Sequence, residues 1–514
     1  MGKYKMNWEK LLSEKSQRDR KNIKIFENKN LFSDENKYIF KDLRSEFEKD
    51  YHRVLSSPSF RRLQDKTQVF PLEKNDFVRT RLTHSIEVSS FAKSLGQSIA
   101  DEILKTKKHK KFKNKDAVAI TNILASAGLL HDIGNPPFGH FGEDTIRAWF
   151  KNNLDILILK DENGDKKKLS EILTDQMKAD LINFEGNAQA IRVVSKLHLL
   201  VDENGMNLTY ALLNTLIKYP VSSLDIDPSN DDIKYKKMGY NLAEEDLFKA
   251  IVENTGTFDK KIGECYRHPL TFILEAADDI AYSTADIEDG IKKGFIDFDK
   301  FLETIKEKIP EDKDLYDSLI ENKKHAIKNE YDSPNLYAVQ RWIVSKVQGR
   351  FIKDVVENFM KNYDEIMNGE YKKDLFSGTE SEKILKVLKE TALNDVFTSK
   401  AISKMEITSN NMINFLLDNF IPSVLYYDTD YKDDIKGIEK RYLKIISETY
   451  IHIYGHYANN YVGKINKSEM NENEKRQKIY TYKLYLRLLL VTDYISGMTD
   501  SYIKTLYQEL MAID

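Results

Sequence analysis

The chain has 514 residues, 41% apolar and 31% charged, with a formal net charge of −3. This balance excludes a wholly disordered chain, gives no global sign of a nucleic-acid coat, and allows about three domains. Cys265 is the single cysteine, so an intrachain disulfide and the cysteine-rich zinc frameworks are excluded, and any metal must be held by His and carboxylate.

The opening MGKYKMNWEKLLSEK has no apolar signal region, and Met6 stands where a myristoylation signal needs Ser or Thr. No stretch reaches the ~18 unbroken apolar residues of a membrane span, so no membrane partner and a cytoplasmic location are expected. Helical periodicity, with few Pro or Gly inside long segments, predicts an all-α fold with at most a short β-hairpin. Residues 1–50 read as a helical extension, 51–300 as the core, and 301–514 as a helical region that packs on the core and completes its site.

In QVFPLEKNDFVRTRL (68–82), two short apolar pieces flank a polar turn and predict the hairpin. RTRLTHSIEVSSFAKSL opens the next helix. KTKKHKKFKNKD (105–116) reads as a solvated loop and not a nucleic-acid patch, because Phe112 is its only aromatic residue. DAVAITNILASAGLL (116–130) is apolar on most sides and predicts a buried helix, ended by Gly134, Pro136 and Pro137 within HDIGNPPFGHFGED. LKDENGDKKKL (159–169), DPSNDDIKYKKMGYN (227–241), NGEYKKDLFSGTESEK (368–383) and DTDYKDDIKG (428–437) read as loops or insertions, and no internal repeat is present.

His131 and Asp132 fall on the last turn of the buried helix. An ionised Asp there costs several kcal/mol unless it is paired or bound to metal. His84 and Asp278, each on a different helical segment, supply further donors. Two His and two Asp suit Mn, Fe, Zn, Co or Mg with positions left open for water and phosphate. Asp279 rivals Asp278, but Tyr282 and Asp286 follow Asp278 at i+4 and i+8 and share its face. His140 and Glu143 stand at i and i+3, about 5–6 Å apart at Cβ, so the carboxylate can orient the imidazole and raise its pKa. Alone, an HD dipeptide or an i,i+3 His–Glu pair is an ordinary helix-end or surface feature.

The order H…HD…D resembles the signature of the HD metal-dependent phosphohydrolases. RRLQDKTQVFPLEKNDFVRTRLTHS (61–85), HDIGNPPFGHFGE (131–143), NFEGNAQ (183–189), LEAADDIAYSTADIEDG (274–290) and DYISGMTD (493–500) closely resemble, in order, the bacterial deoxyguanosine triphosphate triphosphohydrolases. More distantly, the chain is similar to the human SAM-and-HD-domain dNTPase. The resemblance implies an HD helical core and hydrolysis of dNTPs, dGTP first, to deoxynucleoside and inorganic triphosphate, controlling dNTP pools.

It further implies Mn2+ or Mg2+ as cofactor, with Fe, Co or Zn as alternatives, on His84, His131, Asp132 and Asp278. His140 becomes the general acid, with Glu143 as its orienter, although the same pair could activate a nucleophile. Arg81 matches an arginine near the α-phosphate, while Lys218, Tyr219, Lys237 and Arg487 match triphosphate contacts. Gln68 and Asp286 match a pair at the sugar 3′-hydroxyl, Tyr282 lies against the deoxyribose, and Asn187 lines the substrate site. Relatives imply a homo-oligomer, hexamer before tetramer, and leave single-stranded DNA open as a partner. Asn135 stands where many HD enzymes place a His; the bacterial dGTPases share the asparagine, which argues against a second-metal His.

Two rival readings remain at this stage. One keeps the fold and changes the substrate: a phosphodiesterase, a nucleoside monophosphatase or a guanosine tetraphosphate hydrolase. The other is a catalytically silent nucleotide sensor or nucleic-acid-binding protein on the same scaffold.

Overall fold

The computed structural model describes residues 4–18, 42–70, 72, 79–199 and 202–513. Its frame is helical, and the long helices are those with the clearest apolar faces. Arg81–Thr106 and Asn114–Leu130 form an antiparallel pair against which Pro269–Lys292 packs. Asn114–Leu130 is apolar nearly all round and is buried along one continuous run from Ile123 to Leu130, which makes it the central element of the first hydrophobic core. Pro269 occupies the first turn of its helix, where a missing N–H is harmless, and His268 caps it by accepting the Leu270 N–H at 3.2 Å.

Two hydrophobic cores are present, and each draws on both sides of residue 300. The first extends from Met6 and Trp8 through the helices above to Trp342, Phe351, Phe359 and Ile402. Trp8 Nε1 donates to the Tyr363 hydroxyl at 2.8 Å, so the N-terminal residues dock on the helices after residue 340. The second core gathers His140–Asn153 and the segment up to Phe184 against Lys400–Val424, Glu472–Ser496 and Asp500–Met511. The turn after Asn114–Leu130 carries the chain from one core to the other.

Among the described residues, two short hairpins are the only sheets: Ile158–Lys160 with Lys166–Lys168, and Phe258–Asp259 with Glu264–Cys265. LKDENGDKKKL therefore folds as a hairpin and not as a plain loop. Asp161 accepts the N–H groups of Asn163 and Asp165 at 2.9 and 3.0 Å, closing a tight turn, while Leu159 anchors the strand in the second core. Around the expected hairpin at 68–82, an antiparallel bridge joins Thr67 to Thr80, and residues 71 and 73–78 lie outside the described residues. The run 105–116 is the expected helix-to-helix junction. Among the described residues, no helix is long and apolar enough to cross a membrane.

Candidate active site

Three helices deliver the central cluster. His84 lies in the first turn of Arg81–Thr106, whose start is set by Thr80 accepting the Thr83 N–H while Thr83 Oγ1 accepts the Thr80 N–H. His131 is the cap after Leu130, one residue past the last regular turn. Asp278 lies in the middle of Pro269–Lys292. His84 Nε2 is 3.2 Å from Asp278 Oδ1, and His131 Nε2 is 3.5 Å from that oxygen and 3.5 Å from Asp132 Oδ2.

These distances test whether a cation fits. Donors that share one ion at about 2.1 Å, with right to tetrahedral angles, stand about 3.0–3.4 Å apart, close to what is observed. The His131 Nδ1–H donates to the Gly128 carbonyl at 2.8 Å, which leaves Nε2 as a free lone pair, and that buried nitrogen has no hydrogen-bond partner. Burial pushes the His131 imidazole below its ordinary pKa and keeps it neutral, as a ligand must be. Burial alone would raise the Asp278 carboxyl, but Lys218, with Nζ 3.3 Å from Oδ2, and the two imidazoles hold it well below the usual carboxylate range. The donor set therefore suits a divalent cation.

Asp132 stands at the edge of this cluster with both oxygens engaged. Arg81 Nη1 is 2.6 Å from Oδ2, and Asn135 Nδ2 donates to Oδ1 at 2.7 Å. Asp279, the rival on the third helix, is held by Lys389 at 2.6 Å, and burial pushes its carboxyl up to about 6. Its engagement with Lys389 leaves Asp278 as the carboxylate that meets both imidazoles.

The chain then bends sharply toward His140. Phe138 and Gly139 have φ of 63° and 60°, and a left-handed Phe is strained by about 1–2 kcal/mol. Asp500 offsets that strain by accepting the Phe138 N–H at 2.9 Å. His140 opens the helix His140–Asn153, and its Nδ1–H donates to Glu143 Oε2 at 2.9 Å. The imidazole is 76% exposed, whereas the Glu143 side chain is 1% exposed, so Nε2 is the ring nitrogen left free.

The hydrogen bond to Glu143, with the charge of that carboxylate, raises the His140 pKa. Burial would raise Glu143, yet His140, Lys237 and Arg147 hold it lowered and ionised. Glu143 Oε1 also accepts the Gly186 N–H at 2.8 Å. A Cβ at Gly186 would collide with Asn135 Oδ1 and stand 2.6 Å from Glu143 Oε1, so only glycine lets this amide approach. Gly186 is thus where the Asp132–Asn135 side and the His140–Glu143 side touch.

The remaining sequence-predicted residues fall in two groups. Arg81, Lys218, Lys237 and Asn187 are brought to this region: Lys218 through Asp278, and Lys237 and Asn187 through Glu185, at 2.9 and 2.6 Å. Tyr219 is buried beside Lys218, and Gly239 N–H donates to Val221 O at 3.0 Å, joining the two loops. Tyr282 lies parallel to Phe397, with centroids 6.3 Å apart. Asp286 and Gln68 each bury side-chain oxygens without a hydrogen-bond partner, and burial pushes the Asp286 carboxyl up to about 8.

Arg487 is not brought to the cluster. It is fully buried, with Nη1 donating to Tyr427 O at 3.0 Å and its guanidinium over Tyr480. Its helix turns that residue into the second core, while Asp493, six positions on, meets Arg192 through Nε at 2.7 Å and Nη2 at 2.6 Å.

Four supporting residues escape the sequence reading. Arg147 lies 3.4 Å from Glu143 Oε2 and 2.9 Å from Glu185 Oε2. Glu185 in turn holds Asn187 and Lys237. Lys66 donates to Asn135 O at 2.6 Å and Ser496 O at 2.7 Å. Asp500 accepts from Thr67 N and Oγ1 at 2.9 and 2.6 Å. Each lies in or near a quoted motif, which was the available signal, but pairings such as Lys66 with Ser496 and Thr67 with Asp500, more than 400 residues apart, leave no local trace.

Residues 81–203 match the HD domain family, a span that holds His84, His131, Asp132, His140 and Glu143. Over 505 residues the chain is 46% identical to the deoxyguanosinetriphosphate triphosphohydrolase-like protein of Listeria innocua, covering 98% of this chain and 99% of the relative. The protein of the same name from Synechocystis sp. is 34% identical over 91% of this chain and 94% of the relative. The deoxyguanosinetriphosphate triphosphohydrolase of Yersinia enterocolitica is 32% identical, with the same coverage. With both histidines of the buried cluster on the HD segment, Asp278 brought to them from a later helix, and likeness along nearly the whole length of these relatives, the chain belongs to the deoxyguanosinetriphosphate triphosphohydrolase family of HD-domain proteins.

Proposed function

We propose that the chain is a divalent-metal-dependent hydrolase that cleaves deoxynucleoside triphosphates, dGTP in preference, to deoxynucleoside and inorganic triphosphate, and so limits dNTP pools. The observation that carries this reading is the His140–Glu143 hydrogen bond at 2.9 Å, placed beside the His84–His131–Asp278 cluster. Cleavage at the α-phosphorus expels the sugar 5′-alkoxide, a poor leaving group that needs a proton.

His140 gives that proton from Nε2, the nitrogen not bonded to Glu143. Glu143 keeps the imidazole protonated, and His140 itself, Lys237 and Arg147 keep Glu143 ionised, while the Gly186 amide holds its other oxygen. This direction of proton flow is favoured because the raised His140 pKa suits an acid. His84, His131, Asp132 and Asp278 would hold Mn2+ or Mg2+, which supplies Lewis-acid polarisation of the phosphoryl oxygen and activates water.

Arg81, Lys218, Lys237, Tyr219 and Asn187 bind the triphosphate, where fixed cations and donors match its charge. Asp286, held neutral by burial, donates its O–H toward the sugar 3′-hydroxyl, and Gln68 Oε1 accepts from it. Tyr282 occupies the space a 2′-hydroxyl would need. The guanine preference rests on the names of the relatives.

Chromatography of the products formed from each dNTP with Mn2+ or Mg2+ tests the reading. Deoxyguanosine with intact triphosphate, fastest from dGTP, is expected. Release of dGMP and pyrophosphate, or no turnover of any dNTP, overturns it.

A further inference from the structure

A cavity of about 300 Å³ lies against the HDIGNPP turn, bounded by Ile133 and by none of the residues assigned above to metal, acid or substrate. Its charged lining is entirely basic: Arg62, Lys66 and His198, with hydroxyls from Ser59, Thr449 and Tyr450 beside them. No carboxylate lines it among the described residues.

The partners of the three basic groups are also uncharged. Lys66 Nζ donates to the carbonyls of Asn135 and Ser496, which leaves the third ammonium proton unassigned. Arg62 Nη1 donates to Gly497 O at 3.2 Å, and His198 Nε2 meets Ser59 Oγ at 3.0 Å. Burial pushes the Lys66 ammonium down to about 7, the expected result for a buried cation with no anion in contact. Burial and then Arg62 push His198 down to about 4. Three basic groups converge with no carboxylate in contact, and the charges of Asp500 and Asp132, which act on Lys66 from outside the cavity, do not outweigh its burial.

We infer that this cavity binds a small phosphate-class oxyanion, and that the HDIGNPP turn senses its occupancy through the Lys66 hydrogen bond to the Asn135 carbonyl. The Arg62 fork, the Lys66 ammonium and the Ser59 and Thr449 hydroxyls are the donor types that recognise phosphoryl oxygens. An anion there favours the charged form of Lys66 and strengthens its grip on the Asn135 carbonyl. Asn135 holds Asp132 Oδ1, so the effect reaches the cluster through one residue.

The test is calorimetric titration of the metal-loaded protein with inorganic phosphate and, separately, with dGMP. Wild type, Arg62→Gln and Lys218→Met are compared, with turnover measured in phosphate-free buffer. Saturable binding is expected, weakened about tenfold or more by Arg62→Gln, as befits one charge-assisted contact, and unchanged by Lys218→Met. Arg62→Gln should keep phosphate-free turnover within about twofold while losing the effect of phosphate on rate. A response to dGMP alone, sensitive to Arg62→Gln, supports the same site and identifies the phosphoryl group as a nucleotide's. Binding abolished by Lys218→Met and spared by Arg62→Gln places the anion in the catalytic cleft and overturns the inference, as does no saturable heat with either ligand. Ser59→Ala, which removes only a hydroxyl, repeats the comparison should Arg62→Gln unfold.

Discussion

His84 and His131 are almost completely buried, and each is fixed by a packed helix and a second polar contact. His140 is largely exposed and is held through Nδ1, yet the carboxylate that holds it is as buried as either histidine of the cluster. On the function proposed above, the contrast separates two demands on one site. Groups that share a cation need donors set at fixed separations before the ion arrives, and helix packing supplies them. A group that must deliver a proton to a leaving oxygen needs a fixed charge state but some freedom of position. Burying Glu143 and exposing His140 provides both.

The contrast can be broken most severely at the cluster. Asp278→Asn is expected to lose bound metal by elemental analysis and to lose turnover by more than about 10⁴-fold, beyond what removal of a general acid alone explains. Retained metal with near-normal rates would show that Asp278 is not a ligand. His140→Ala should bind metal as wild type does and lose about 10²–10⁴-fold in kcat. If it also loses metal, the two halves are not separable.

Glu143→Gln is the finer probe. Glu143 raises the His140 pKa, and the acid form is lost as pH rises through that value. Removing the charge should therefore move the alkaline limb of the kcat profile to lower pH and slow the reaction by about 10–100-fold, as loss of an orienting partner does elsewhere. An unmoved limb would dissociate Glu143 from the proton donor. The smallest effect on dGTP itself is expected at Tyr282→Ala, where discrimination against GTP should fall by about 10–100-fold while metal content stays constant. Competition assays with dGTP and GTP read this directly.

Much of the buried half was legible in the sequence, because an apolar helix that ends in His-Asp announces both its burial and its need for a partner. Helical spacing favoured Asp278 over Asp279, and in the structure Asp279 pairs with Lys389 while Asp278 meets both imidazoles. What supports the site was not legible. Glu185, Arg147 and Gly186 act through contacts between one helix and the start of another that pattern alone does not bring together. Arg487 shows the converse: a basic residue six positions from a motif aspartate points into a core because of its place on the helix. LKDENGDKKKL misled for a local reason, since its polar composition hid one anchoring leucine and one turn-closing aspartate.

Asp500 has a consequence for the order in which this protein is made. The amide it holds belongs to Phe138, 362 residues earlier, and its other oxygen is held by Thr67. The ribosome therefore releases both histidines of the cluster, His140 and the whole first core long before the acceptor that secures the strained turn exists. Domains generally fold as they emerge. Here, the early helices would assemble around an unfinished bend, and the Phe138 amide would gain its acceptor only once residue 500 had left the exit tunnel.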